Sequence, residues 1–233
     1  PDSSCRRDET GILKSLFHFF LIIPDQFYTR IYTDIYCMSN SGDPDLFKQI
    51  SDATEKAVRD AEIFLPEDVK ARLVHALNTE SVLVARQELE NIIENICLAE
   101  ERSAPICQDT GIPVIYVTIP PGITWVPEME QAVFTGIVNA TDKVPLRPNL
   151  VDPLRRENTG TNTGLRMPPV HVKTGEKFTI TALPKGAGSE NVSRIAMMNP
   201  SDKDSIPRFI VETMLIAGGR PCPPVILGIG IGG

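Results

Sequence analysis

Basic clusters are missing from this chain of 233 residues, in which 23 Lys and Arg face 30 Asp and Glu for a net charge of -7. A phosphate backbone needs a basic face, so this balance argues against a nucleic acid as the main partner. Long hydrophobic runs are missing too. The aromatic and apolar stretch Leu13 to Ile23 stops at Pro24, short of the ~20 residues of a bilayer span, and no small-residue cleavage site follows it. No membrane association is expected. Cysteine pairs are absent: the five cysteines Cys5, Cys37, Cys97, Cys107 and Cys222 are odd in number and widely spaced. That pattern excludes the disulfide framework of small secreted domains and points to the reducing cytosol. Histidine is scarce. Only His18, His75 and His171 exist to serve a cysteine nucleophile as base, and none stands in a recognisable catalytic context.

What is present is ordinary globular composition, 42% hydrophobic and 23% charged, enough for one large domain or two small ones. Residues 1–37 differ in texture from the rest, and Met38 reads as a natural start. We therefore expect 1–37 to be an extension outside the fold, which occupies 38–233.

From Asp45 the apolar residues Leu46, Ile50, Ala53, Ala57, Val58 and Ala61 recur at helical spacing, with Lys48, Asp52, Lys56 and Arg59 opposite. Pro66 with Glu67 and Asp68 opens a second helix, with stripe Val69, Leu73, Ala76 and Leu77. A third is predicted from about Glu80 to Glu101, with Val82, Leu83, Leu89, Ile92, Ile93 and Ile96 inward and Cys97 on the buried side. Ile112–Ile119 reads as a strand, while Val133–Val138 suits a strand or a helix equally. The polar, proline- and glycine-rich stretch 141–169 reads as a functional loop. His171–Lys173 and Phe178–Leu183 are predicted to form a hairpin around Thr174-Gly175-Glu176. Ser189 is expected to cap a helix, and Ile206–Ala217 to form another, ended by Gly218-Gly219. The fold class is α+β, with N-terminal helices packed on mixed, largely antiparallel sheets.

Chemistry concentrates in Ile106-Cys107-Gln108-Asp109-Thr110-Gly111. Cys107 on a glycine-bounded loop suits a metal ligand or a nucleophile, and so does Cys222 between prolines; the spacing alone favours two unrelated thiols. Asp109 is the acid or base candidate, against the alternative of a turn cap. Lys185 to Asn191 could hold an anion on backbone amides or be an ordinary entry into a helix. Arg147, Arg155 and Arg156 could clamp a carboxylate or simply be solvated. Gly228, Gly230 and Gly233 satisfy GxGxxG, but no helix opens after them, so a dinucleotide site is not expected.

Taken together, Pro105 to Gly111, Arg155 to Asn162, Lys185 to Asn191 and Cys222 to Gly233 resemble, in order and spacing, the iron–sulfur hydro-lyase family of class I fumarase and L(+)-tartrate dehydratase. The likeness is to the alpha subunit or the N-terminal half of the single-chain form, over about residues 43–233. It implies a [4Fe–4S] cluster with Cys107 and Cys222 as ligands. It also implies Gln108 and Asp109 lining the substrate site, Arg147 on a substrate carboxylate, and Gly186, Gly188 and Ser189 in the substrate loop. The resemblance places the third cysteine ligand, and a histidine shortly before it, downstream of the glycine-rich stretch. The expectation is therefore an alpha subunit incomplete at its C-terminus, acting with a beta subunit in a hetero-oligomer. Its reaction would be reversible hydration of a small dicarboxylate, fumarate to L-malate. L(+)-tartrate dehydration is the alternative within the family, and a non-catalytic remnant keeping the fold is the alternative outside it.

Overall fold

Apolar side chains at every third or fourth position define helix α1 (Pro44–Ile63), the first long element of the computed structural model. The structure describes residues 33–34, 44–221, 225 and 227–232. Leu46, Ile50, Ala53, Ala57 and Val58 are buried, and Lys48, Asp52, Lys56 and Arg59 are exposed, as the spacing predicts. Two carboxyl groups of α1 lie inside, Asp60 and Glu62, and Lys56 and Arg59 hold Asp60 at 2.5 and 2.7 Å. Pairing is what makes the burial of Asp60 tolerable.

Helices α2 (Glu67–Thr79) and α3 (Leu83–Arg102) follow. They share a small cluster built on Leu73, Leu89 and Ile96. Two expectations fail on α3. Cys97 is exposed, because it lies one residue, about 100° of helix, past the inward Ile96. Val82 and Leu83 are 59% and 70% exposed: the apolar row runs on into the first turn, where none of the described residues covers it.

Strand β1 (Thr33–Asp34), β2 (Ile112–Ile119), β3 (Val170–Thr174) and β4 (Thr179–Lys185) form one sheet in the order β1-β4-β2-β3. Pairings β1–β4 and β2–β4 are antiparallel and β2–β3 is parallel, so the sheet is mixed and largely antiparallel, and the fold is α+β. Burial along β2 alternates residue by residue, the mark of one face turned to the core. Ile115, Val117 and Ile119 join Ile180 and Ala182 of β4 in a core with α1 and with α4 (Pro127–Lys143).

The predicted hairpin is absent. β3 and β4 flank β2 on opposite sides, and the connection 175–178 steps across the end of the strand between them. The Gly175 N–H bonds to the Ile119 carbonyl at 2.9 Å, and a Cβ on Gly175 would stand 2.3 Å from Thr118 Cγ2. The glycine is there because the chain crosses directly over β2. The open choice for Val133–Val138 resolves as helix, within α4.

Between β4 and α6 (Ile206–Ala217) come a single turn α5 (Ala187–Glu190) and a 3₁₀ turn Pro200–Ser205. Ser189 lies inside α5 rather than capping a helix, since the turn ends at Glu190 before any longer helix forms. The chain divides at Ala187–Gly188 into a larger unit that carries the sheet and α1 to α4, and a smaller one. No helix among the described residues is long and apolar enough to cross a membrane.

The crossing of α1 and α4 depends on Gly136. A Cβ there would lie 2.4 Å from the Ser51 carbonyl oxygen and 2.7 Å from Thr54 Cβ, so the helices meet backbone to backbone. Gly136→Ala would gain about 1 kcal/mol from helix propensity alone. The clash dominates, and a net loss of about 1–3 kcal/mol is expected from forcing the helices apart. Urea unfolding of the variant measures it, and an unchanged or raised midpoint would show that the crossing can relax.

Candidate active site

The segment between α3 and β2 has little regular structure, and its position comes from what grips it. α3 ends on Ser103 in the left-handed region (φ 50°), with its N–H on the carbonyls of Ala99 and Glu100. The Ile106 N–H then donates to the Glu62 carbonyl at the end of α1 (2.9 Å), and Asn95 Nδ2 of α3 donates to the Ile106 carbonyl (2.7 Å). Held on both sides at Ile106, the chain presents Cys107 and Gln108 to solvent. The Asp109 N–H points at Cys107 Sγ, 3.4 Å away.

Past Asp109 the segment presses against the end of β4. Gly111 has φ +67°, and a Cβ on it would fall 2.3 Å from both the carbonyl carbon and oxygen of Lys185 and 2.6 Å from the Gly186 nitrogen. Two backbones touch here, so Gly111 has no room for a side chain. Gly186 in turn faces Asp109: a Cβ would lie 3.0 Å from Asp109 Oδ2. The cysteine segment and the glycine-containing turn after β4 thus form one surface with the Asp109 carboxylate on it.

Arg147 joins through its backbone. Its carbonyl accepts from Thr110 Oγ1 (3.3 Å) and from Asn162 Nδ2 (3.1 Å), while its guanidinium is exposed and forms no ion pair among the described residues. Arg155 and Arg156 instead occupy an exposed turn, where Asp152 Oδ1 accepts the N–H groups of Leu154 and Arg155. Neither side chain hydrogen-bonds to the cysteine segment.

Gly188 and Ser189 belong to the smaller unit. A Cβ on Gly188 would sit 2.7 Å from the Arg220 carbonyl oxygen, and Ser193 Oγ donates to the Ser189 carbonyl at 3.1 Å. Cys222 lies outside the described residues, as do Cys5 and Cys37. Among the described residues no group of three or more His, Cys, Asp or Glu could hold a metal ion, and Cys107 is the thiol at this surface.

Glu62 escaped the reading of the sequence. Its side chain is only 7% exposed, and loss of water, with the Asp109 carboxylate nearby second, pushes its pKa up to about 8. The signal was available: Glu62 stands four residues after the buried Val58, so it falls on the apolar stripe of α1.

A family model described as fumarate hydratase (fumerase) matches residues 51–233. The chain is 45% identical over 192 residues to a protein named putative L(+)-tartrate dehydratase subunit alpha from Methanocaldococcus jannaschii, covering 79% of this chain and 67% of that protein. It is 35% identical over 182 residues to a putative fumarate hydratase class I of Geobacillus stearothermophilus, covering 72% and 35%. With the L(+)-tartrate dehydratase subunit alpha of Escherichia coli (strain UTI89 / UPEC) identity is 28% over 171 residues, covering 72% and 56%. The chain therefore spans between about a third and two thirds of the length of these relatives.

Glu62 makes the stability of the chain depend on pH. The unfolded carboxyl titrates near 4.5 and the folded one near 8, so between those values the folded chain keeps a proton that the unfolded chain has released. Stability is highest below the lower value and falls as pH rises through the upper one, by at most about 1.4 kcal/mol per pH unit. Glu62→Gln mimics the protonated carboxyl and should remove this slope. Thermal unfolding of both proteins from about pH 5 to about pH 9 is the check; parallel curves would rule Glu62 out as the source.

Proposed function

The chain belongs to the fumarate hydratase family, and from that premise we propose that it is an alpha-type component of a hydro-lyase acting on a small dicarboxylate, with fumarate and L-malate as the pair interconverted. The observation that supports this reading is the meeting of the cysteine segment with the turn after β4, where the Gly111 backbone lies against Lys185–Gly186 and Gly186 faces the Asp109 carboxylate. L(+)-tartrate is the second substrate to consider, favoured by the 45% identity to a protein named for its dehydration.

A [4Fe–4S] cluster fits the thiol present: Cys107 Sγ is exposed, sits on a gripped loop and accepts a backbone N–H. On this reading Cys107 and Cys222 are its ligands. When bound, the cluster would supply a Lewis-acidic iron for the hydroxyl that is added or removed.

The remaining work falls to the chain itself. Arg147, with no competing carboxylate among the described residues, binds one substrate carboxylate through paired hydrogen bonds. Gly186 leaves space beside Asp109 Oδ2, so that a substrate oxygen can reach this carboxylate. Asp109 exchanges the hydroxyl proton there. Gln108, exposed beside Cys107, contributes amide hydrogen bonds to the same substrate, and Gly188 and Ser189 are the further substrate-loop residues that the family resemblance implies. A beta subunit supplies the rest of the site in a hetero-oligomer. The exposed thiols of Cys97 and Cys107 suit a reducing compartment, and we place the protein in the cytosol.

Anaerobic reconstitution with iron and sulfide, followed by fumarate and tartrate assays with the beta subunit added, tests the reading. Cys107→Ala should lose most of the bound iron. Arg147→Lys, which cannot form the bidentate pair, should raise KM by about tenfold or more with a smaller effect on kcat. Asp109→Asn should lower kcat by about 10²–10⁴-fold. A wild-type protein that binds no iron under these conditions would sink the proposal.

A further inference from the structure

The segment 144–169 contains no helix or strand, yet it carries Arg147, whose place decides where a substrate carboxylate would sit. Such a segment holds a fixed course only where its polar backbone groups find partners. For the part of the segment around Arg147, one side chain supplies two of these partners. Asn162 is 1% exposed and adopts φ +56°, a left-handed conformation that Asn tolerates better than most residues. Its Oδ1 accepts the Asn149 N–H at 2.6 Å. Its Nδ2 donates to the Arg147 carbonyl at 3.1 Å and to Thr141 Oγ1 of α4 at 3.3 Å.

These bonds close a ring with the cysteine segment. Asn149 Nδ2 donates to the Gly111 carbonyl (2.9 Å) and to Thr110 Oγ1 (3.4 Å), and Thr110 Oγ1 donates to the same Arg147 carbonyl that Asn162 holds. Thr110, Arg147, Asn162 and Asn149 are thereby joined in a cycle, anchored to α4 through Thr141. Thr141 is itself fixed by its bond to the Ile137 carbonyl at 2.8 Å. All four members touch either the segment that carries Cys107 and Asp109 or the backbone of Arg147.

We propose that Asn162 is a positioning residue, which sets Arg147 against the Cys107–Asp109 segment by holding both through this ring. It touches no substrate. Its contribution is to remove freedom from the arginine backbone and from residues 107–111 before anything binds, so that little ordering is left for the binding event. The inference rests on the carboxylate-binding role proposed above for Arg147, but one of its tests does not.

The experiment uses the full chain with three substitutions. Asn162→Gly preserves the left-handed backbone while deleting every bond of the side chain. Thr141→Val removes the anchor on α4 but leaves the Arg147 and Asn149 links, and serves as a stability control. Asn149→Ala opens the ring from its other side, at a half-buried position, and decides the matter should Asn162→Gly not fold. Hydrogen exchange of the chain before reconstitution is expected to quicken over 107–111 and 147–149 in Asn162→Gly by about tenfold or more, and over 107–111 in Asn149→Ala, beyond what Thr141→Val produces. In the reconstituted enzyme with its beta subunit, Asn162→Gly should raise KM for the dicarboxylate by about tenfold while kcat changes by less than about threefold. Exchange over 107–111 unaltered in Asn162→Gly, or in Asn149→Ala if the former does not fold, overturns the proposal. So does an equal change in Thr141→Val, which would make Asn162 an ordinary contributor to stability. If the wild type binds iron and hydrates neither substrate, the hydro-lyase reading falls, while the exchange result still decides the role of Asn162.

Discussion

Contact between the backbone at Gly111 and the backbone at Lys185–Gly186 is the constraint on which the candidate site depends. Strands β2 and β4 pair in register at Ile112 and Lys185, so the residues just before one strand and just after the other must leave the sheet at the same corner. There is no space for a Cβ on Gly111. The chain can therefore carry functional groups only on the adjoining residues, and it does so with Asp109 and Cys107 on one side and the turn from Lys185 on the other. The sheet supplies the rigidity: its core face is sealed by α1 and α4, whose own approach is set by Gly136 against Ser51 and Thr54. A glycine between two helices and a glycine between two strand ends fix the distances that matter.

Hydrogen bonds to the irregular backbone do the rest. Ile106 is gripped by the Glu62 carbonyl and by Asn95, and Arg147 by Thr110 and Asn162. In each case a backbone group without a secondary-structure partner is satisfied by a group from an element distant in sequence. Leaving such a group unsatisfied costs about 1–3 kcal/mol when buried. The irregular segments around the site are accordingly held in place without helix or strand. Loops of this kind can position chemistry as closely as regular elements do, provided each orphan donor and acceptor is met.

The legible parts of the chain were those governed by local periodicity. Helix α1 was readable because one apolar stripe faces one core, and α6 from its helical apolar spacing and the closing Gly218-Gly219, although only Ala217 of it is buried. β2 was readable as a strand from its β-rich run, but which of its residues face the core was not, since Val114 to Val117 are apolar without alternation. The four-strand order was not readable: a short turn-like connection between two strand-like runs looks the same whether the strands pair or straddle a third. Only the crowding of Gly175 against Thr118 tells them apart. Cys97 was misread by a single step around the helix, and Ser189 because a helix entry was inferred where only one turn forms. Glu62 was overlooked although its place on the apolar stripe is written in the spacing. Asn162 had no local signal beyond membership of a polar loop, since its partners Thr141, Arg147 and Asn149 are assembled by the fold.

Glu62 also bears on how an anion could bind beside Asp109. A dicarboxylate approaching two ionised carboxylates would meet repulsion that a single arginine could not offset at close range, because like charges in a partly dehydrated site interact strongly. The fold prevents this by burying Glu62 at the end of α1, where loss of water keeps it protonated up to about pH 8. Near neutrality Glu62 then adds no charge beside Asp109, and on the proposed reading this leaves room for the negative charge of the substrate. The apolar stripe that builds α1 thus ends in a group whose neutrality depends on the same burial that stabilises the helix, and this couples the core to the electrostatics of the site.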